Sequence, residues 1–109
     1  MASPPPTRAR LKEAMLSIFL SSEKAEKSAL SREFTKMLFS YVESQMGGKG
    51  PDVVSEMQME SIGLFSQYVF KKNKEKAKEK GKRPVQILRE VAEESDELFD
   101  EIEFRIRGK

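Results

Sequence analysis

The stretch from Lys71 to Arg83 is equipped for one kind of chemistry, the neutralisation of phosphates. Lys71, Lys72, Lys74, Lys76, Lys78, Lys80, Lys82 and Arg83 face only Glu75 and Glu79, a net charge of +6. Ammonium groups that displace counterions from a phosphate backbone give nucleic-acid affinity without sequence preference. A single Arg and no aromatic residue in the run argue against bidentate base readout or base stacking within it. Lys80, Lys82 and Arg83 also fit a nuclear-import signal. Two plainer readings compete. The run could be a solvated helix extension, with Lys71, Glu75 and Lys78 at pairing distances along it, or it could pair with the acidic stretch that follows.

That stretch, Pro84 to Lys109, holds eight Asp/Glu against four Lys/Arg, a net charge of −4. Residues 1–70 carry eight of each sign, so a whole-chain charge of +2 hides two opposed electrostatic segments. Such segregation bears on steering and partner choice rather than on fold. Glu93, Glu94 and Glu97, followed by Asp100 and Glu101, set several carboxylates within two turns, the ligand type that hard divalent cations take. The E-E-x-x-E element formed by Glu93, Glu94 and Glu97 resembles the all-α nucleotide pyrophosphohydrolases of the MazG type. The resemblance implies magnesium-dependent nucleotide hydrolysis. In that family a second E-x-x-D element lies on a separate helix downstream; here Glu97 and Asp100 supply it only by overlapping the first, and nine residues follow Asp100. The residues by themselves read as the solvated face of an amphipathic helix, so no metal, cofactor or catalytic residue is expected.

Other small-enzyme templates are removed by composition. The chain has no Cys and no His, which excludes thiolate nucleophiles, disulfides, Cys/His zinc sites and imidazole acid/base chemistry. Its serines would each need a buried lysine as base, and none stands out as paired with one. Gly47-Gly48-Lys49-Gly50 is superficially like a phosphate-cradling loop but lacks the full P-loop spacing and follows a helix rather than a strand.

The elements that must position these segments read as helical. With 109 residues, one domain is expected, and 38% hydrophobic residues are enough for a core. A disordered Pro-rich tail over residues 1–6 precedes a single helical domain over 7–109, divided into an apolar core (7–70), the basic segment (71–83) and an acidic amphipathic helix (84–109). Thr7 is placed to cap a first helix whose Leu11, Ala14, Met15, Ile18 and Phe19 share one face. Ser21 and Ser22 interrupt that stripe, and either could cap a second helix. Leu30, Phe34, Met37, Leu38, Tyr41 and Val42 line the next helix, which ends at the Gly47–Pro51 turn. A third carries Val54, Met57, Ser61, Ile62, Phe65, Tyr68 and Val69 on one side, with Met59, Leu64 and Phe70 off that line, and runs into the basic segment towards Gly81. Pro84 suits the first turn of a fourth, with Leu88, Val91, Ala92, Leu98, Phe99 and Ile102. From Ile102 to Arg107, apolar and charged residues alternate with period two, so a short C-terminal strand competes with the end of that helix. The fold class is therefore all-α, three to four helices in an antiparallel bundle.

A third helix apolar over so wide an arc needs cover on two sides, and Leu20 and Phe39 add to the surplus. The expected role is that of a non-enzymatic adaptor or assembly module. It would oligomerise with itself or dock on a protein partner through Phe34, Leu38, Tyr41, Phe65, Val69 and Phe70. Electrostatic, sequence-nonspecific nucleic-acid binding through 71–83 is the alternative. No stretch approaches the roughly 20 apolar residues of a membrane span, so no membrane partner and a cytoplasmic or nuclear protein are expected.

Overall fold

Thr7 opens the first helix as its position predicts: its Oγ1 accepts a hydrogen bond from the amide of Arg10 at 3.2 Å. In a computed structural model that describes residues 4–78, 81 and 83–109, without the side chains of 76–78, the chain forms four α-helices. They are α1 (Arg8–Leu20), α2 (Lys24–Gln45), α3 (Pro51–Lys78) and α4 (Pro84–Arg107). Each packs on its neighbour in sequence and α4 closes against α1. The contacts Phe34 to Phe65, Tyr68 to Glu94 and Arg8 to Glu103 join α2 to α3, α3 to α4 and α1 to α4, each pair lying antiparallel. The molecule is an all-α antiparallel bundle, 48 × 31 × 20 Å.

The helix between Leu20 and Lys24 breaks rather than running through. Ser21 is extended (φ −69°, ψ 132°), and neither serine caps α2: Glu23 occupies the cap position without a side-chain bond, while Ser21 Oγ donates to its carbonyl. Closing α1 directly onto α2 requires this reversal. The Gly47–Gly50 connection turns through Gly48 at φ +88°, a conformation that a Cβ disfavours. Pro51 and Pro84 stand at the first positions of α3 and α4, where a missing amide costs no hydrogen bond.

Leu11, Met15, Phe34, Leu38, Val42, Met57, Val91, Phe99 and Ile102 are completely buried and form the centre of the core. The buried line of α3 runs Met57, Ser61, Phe65, Lys72 at helical spacing, so it includes two polar residues, whereas Met59 and Phe70 on the same helix are 65% and 70% exposed. Ser61 and Ser95 satisfy themselves by donating to the carbonyls of Met57 and Ala92. The alternation at the C-terminus does not make a strand. As a helix it places Ile102 and Ile106 in the core and Phe104 outside, whereas a strand would put all three on one face with no sheet to join among the described residues. Arg105 supports the last turn through Glu101, one turn back, at 2.9 Å. Among the described residues, no helix is long and apolar enough to cross a membrane.

Candidate functional site

The acidic face of α4 is neutralised mostly from inside the bundle. Arg8 reaches Asp100 at 2.9 Å, Glu103 at 3.1 Å and the carbonyl of Asp96 at 2.6 Å, with its guanidinium 5.7 Å from the Phe99 ring centre. Burial works against the charge on Arg8, but the hydrogen bond to Asp100 and the three carboxylates outweigh it and hold the group more basic than usual. Lys12 bonds Asp96 at 2.8 Å and, with Arg8, holds that carboxyl below the ordinary range. At the end of α4, Lys109 and Arg105 converge on Glu60, and Lys109 also meets Glu56. Glu60 is lowered accordingly, first by the Lys109 hydrogen bond.

On the α3 side the counter-charge is Lys72. Its ammonium is buried to 4% exposure and lies 3.0 Å from both Glu90 and Glu94, with Glu75 at 3.5 Å. Tyr68 Oη donates to the other oxygen of Glu94 at 2.7 Å. Burial opposes the charge of Lys72, yet Glu94 and Glu90 together raise its basicity. Burial, then the hydrogen bond to Glu94 and its charge, push the Tyr68 phenol well up; Tyr41 is raised in the same way by burial and its bond to Glu103. A cleft of about 310 Å³ opens beside this cluster, with Lys71 and Glu97 on its rim.

All three raised groups favour the folded state in their protonated forms. Their contribution is full below the unfolded values, about 10 for Tyr and 10.4 for Lys, and is lost as pH rises through the higher folded values. Stability should hold between about pH 7 and 9 and fall above about 10. Since Tyr41 and Tyr68 are the two tyrosines of the chain, phenolate absorbance should rise together with loss of helical circular dichroism. Phenolate formation near pH 10 with helicity retained would show that these hydrogen bonds do not hold in solution.

The basic segment therefore divides. Lys72 is a core residue, Lys71 is exposed, Lys74 lies 5.8 Å from the Phe70 ring centre, and Arg83 is exposed next to the start of α4. The side chains of Lys76, Lys78, Lys80 and Lys82 lie outside the described residues. Of the apolar anchors, Phe34, Leu38, Tyr41 and Phe65 are in the core, Val69 is half-buried against it, and only Phe70 stands out. The acidic cluster disperses: Glu94 turns to Lys72, Asp100 to Arg8 and Glu101 to Arg105. Among the described residues, no three carboxylates converge as a metal site would require. Lys49 of the glycine loop donates to the carbonyl of Lys109 at 3.2 Å.

Two features escape a linear reading. Lys72 continues the line of buried Met57, Ser61 and Phe65 and half-buried Tyr68 at one-turn intervals, a signal masked by the lysines around it. Lys24, Lys27 and Arg32 of α2 line a cleft of about 430 Å³ with α1 and α3, and no spacing rule points to them because the cleft exists only once three helices meet. Together with Lys71, Arg83 and Arg89 they have no carboxylate partner among the described residues. These cations gather towards the end of the bundle where α1 turns into α2 and α3 leads to α4. No protein-family model, curated protein or solved structure matches this chain.

Proposed function

We propose that this protein binds the phosphate backbone of nucleic acid, without sequence preference, through the basic end of its bundle. The observation that carries the reading is the asymmetry of ion pairing. Most of the α4 carboxylates are met by Arg8, Lys12, Lys72 and Arg105, and among the described residues none of them pairs with Lys71, Lys74 or Arg83. Lys24, Lys27, Arg32, Lys71 and Arg83 are left for an external anion. Neutralising about four phosphates should weaken affinity about a hundredfold between 50 and 200 mM salt. Fluorescence anisotropy with labelled duplex DNA and RNA tests this, and Lys71→Glu with Lys74→Glu should flatten the salt dependence. Absence of binding at about 50 mM salt would defeat the reading.

A second reading, self-assembly, draws on a different face. Met59, Gly63, Ser66 and Phe70 follow one line along the outer side of α3, and all are exposed. Two large apolar residues flanking small ones form a surface on which a helix of a second copy could lie. Phe70→Glu should then convert a dimer to a monomer in sedimentation without loss of helicity. A wild-type chain that is already monomeric at about 100 μM, well above the Kd of an ordinary dimer, would defeat it.

A further inference from the structure

We infer that two copies of this chain pair antiparallel, α3 against α3, about a two-fold axis that passes between Gly63 and Ser66. The inference rests on the self-assembly reading and fixes its geometry. At about 100° per residue, Met59, Gly63, Ser66 and Phe70 share an arc of about 80° with Asp52, Glu56 and Lys74, and all seven are exposed. The order of charge along that arc selects the occupant. Its carboxylates stand in the first two turns of α3, its ammonium stands near the far end, and residues 61–70 between them carry no charge. Among the described residues Asp52 meets no cation, and Lys74 meets no carboxylate, only the Phe70 ring. Glu56 bonds Lys109 but keeps 64% of its side chain exposed. An antiparallel copy brings its Lys74 level with the turn between Asp52 and Glu56, and the two-fold axis repeats the match on the other side. A parallel copy would set each charge beside its own kind.

Gly63 is the second, independent observation. Inside a helix glycine is less favourable than alanine, and nothing within this chain requires it, since a Cβ at Gly63 would meet no atom within 4 Å. The close approach of a second backbone gives the missing side chain a purpose. With the axis between residues 63 and 66, Gly63 of each copy faces Ser66 of the other, so the helices meet where both are narrowest. Met59 then lies beside Phe70 of the second copy on either side of the axis, a thioether against an aromatic ring. These two side chains are 65% and 70% exposed, so the apolar surface they offer is open in the single chain. A foreign helix has no reason to carry the mirrored order of acid, apolar and base; a second copy carries it necessarily.

The experiment combines sedimentation of the full chain with disulfide cross-linking, which introduced cysteines report cleanly because the chain has none of its own. At about 100 μM the wild type should sediment as a dimer. Gly63→Leu should sediment as a monomer with helical circular dichroism retained, because the leucine has room within the chain and blocks the approach between copies. Under mild oxidation Ser66→Cys, next to the axis, should cross-link two copies. Glu56→Cys should not, since antiparallel pairing holds its two sites about 26 Å apart, far beyond disulfide reach. Glu56→Cys with Lys74→Cys in one chain should cross-link again, each cysteine meeting the other kind in the second copy. If Glu56→Cys alone cross-links as readily as Ser66→Cys, if the double-cysteine chain does not cross-link, or if Gly63→Leu remains a dimer, the antiparallel α3 pairing is overturned while self-assembly stands. If the wild type is monomeric at that concentration, both fall.

Discussion

Replacing Phe99 by alanine should cost about 3–5 kcal/mol, the range for removing a fully buried aromatic ring. The side chain is completely buried. Its ring meets Tyr41 edge-on at 6.2 Å and lies beneath the Arg8 guanidinium, so the cavity would open where α1, α2 and α4 converge. Two further contacts depend on that junction: Tyr41 to Glu103, and Arg8 to the α4 carboxylates. A domain of this size has roughly 5–15 kcal/mol in total, and each kcal/mol is worth about 4 °C or more. The midpoint of thermal unfolding should therefore fall by more than about 12 °C. Phe70→Ala is the control, because a 70% exposed ring should change stability by no more than about 0.5 kcal/mol. Equal effects of the two substitutions would mean that the core is arranged differently.

Lys72→Glu should have the second largest effect. The substitution removes the ammonium that joins Glu90 and Glu94 and places a further carboxylate among three. Breaking a buried ion pair costs about 3–5 kcal/mol. Here both main partners are about a third exposed, so solvent screening lowers the expectation to about 2–3 kcal/mol. The neighbouring Lys71→Glu should be nearly silent in a denaturant titration, because Lys71 is exposed and has no carboxylate partner among the described residues. In nucleic-acid binding the ranking should invert: Lys71→Glu weakens the complex directly, while Lys72→Met, which fills the same space without charge, should leave it nearly unchanged. If Lys71 and Lys72 behaved alike in the stability assay, the internal pairing of α4 would be refuted, and with it the argument that frees the remaining cations for a ligand.

Much of the architecture was legible in the residues. The stripes Leu11, Met15, Ile18, Phe19 and Phe34, Leu38, Tyr41, Val42 became the buried faces of α1 and α2, because a residue every three or four positions falls on one side of a helix. Thr7, the glycine turn and both helix-opening prolines acted locally, through backbone bonds that neighbouring residues define. The residues from Ile102 to Arg107 were ambiguous, since an alternating pattern satisfies period two and contains an i, i+4 pair. The choice fell to packing, which had a groove for Ile102 and Ile106 and, among the described residues, no strand for them to join.

The candidate site was much less legible. Phe65 and Phe70 look alike as sequence, large aromatics on the same apolar helix, yet one is buried and the other faces outwards. The difference is set by where α2 and α4 lie against α3. Lys71 and Lys72 differ in the same way: a helix turns about 100° per residue, which carries one ammonium to the carboxylates of α4 and its neighbour to solvent. By itself the sequence determined the helical class, the helix ends marked by Thr7, the glycine turn and Pro84, and the segregation of charge, because these depend on local periodicity, capping and composition. Tertiary structure alone decided which charges cancel and which remain free, since Arg8 meets Asp100 and Lys72 meets Glu90 across separations in sequence that no local rule spans. The cleft of Lys24, Lys27 and Arg32 is likewise a product of three helices meeting, and a surface of that kind comes into being only when the core beneath it has packed.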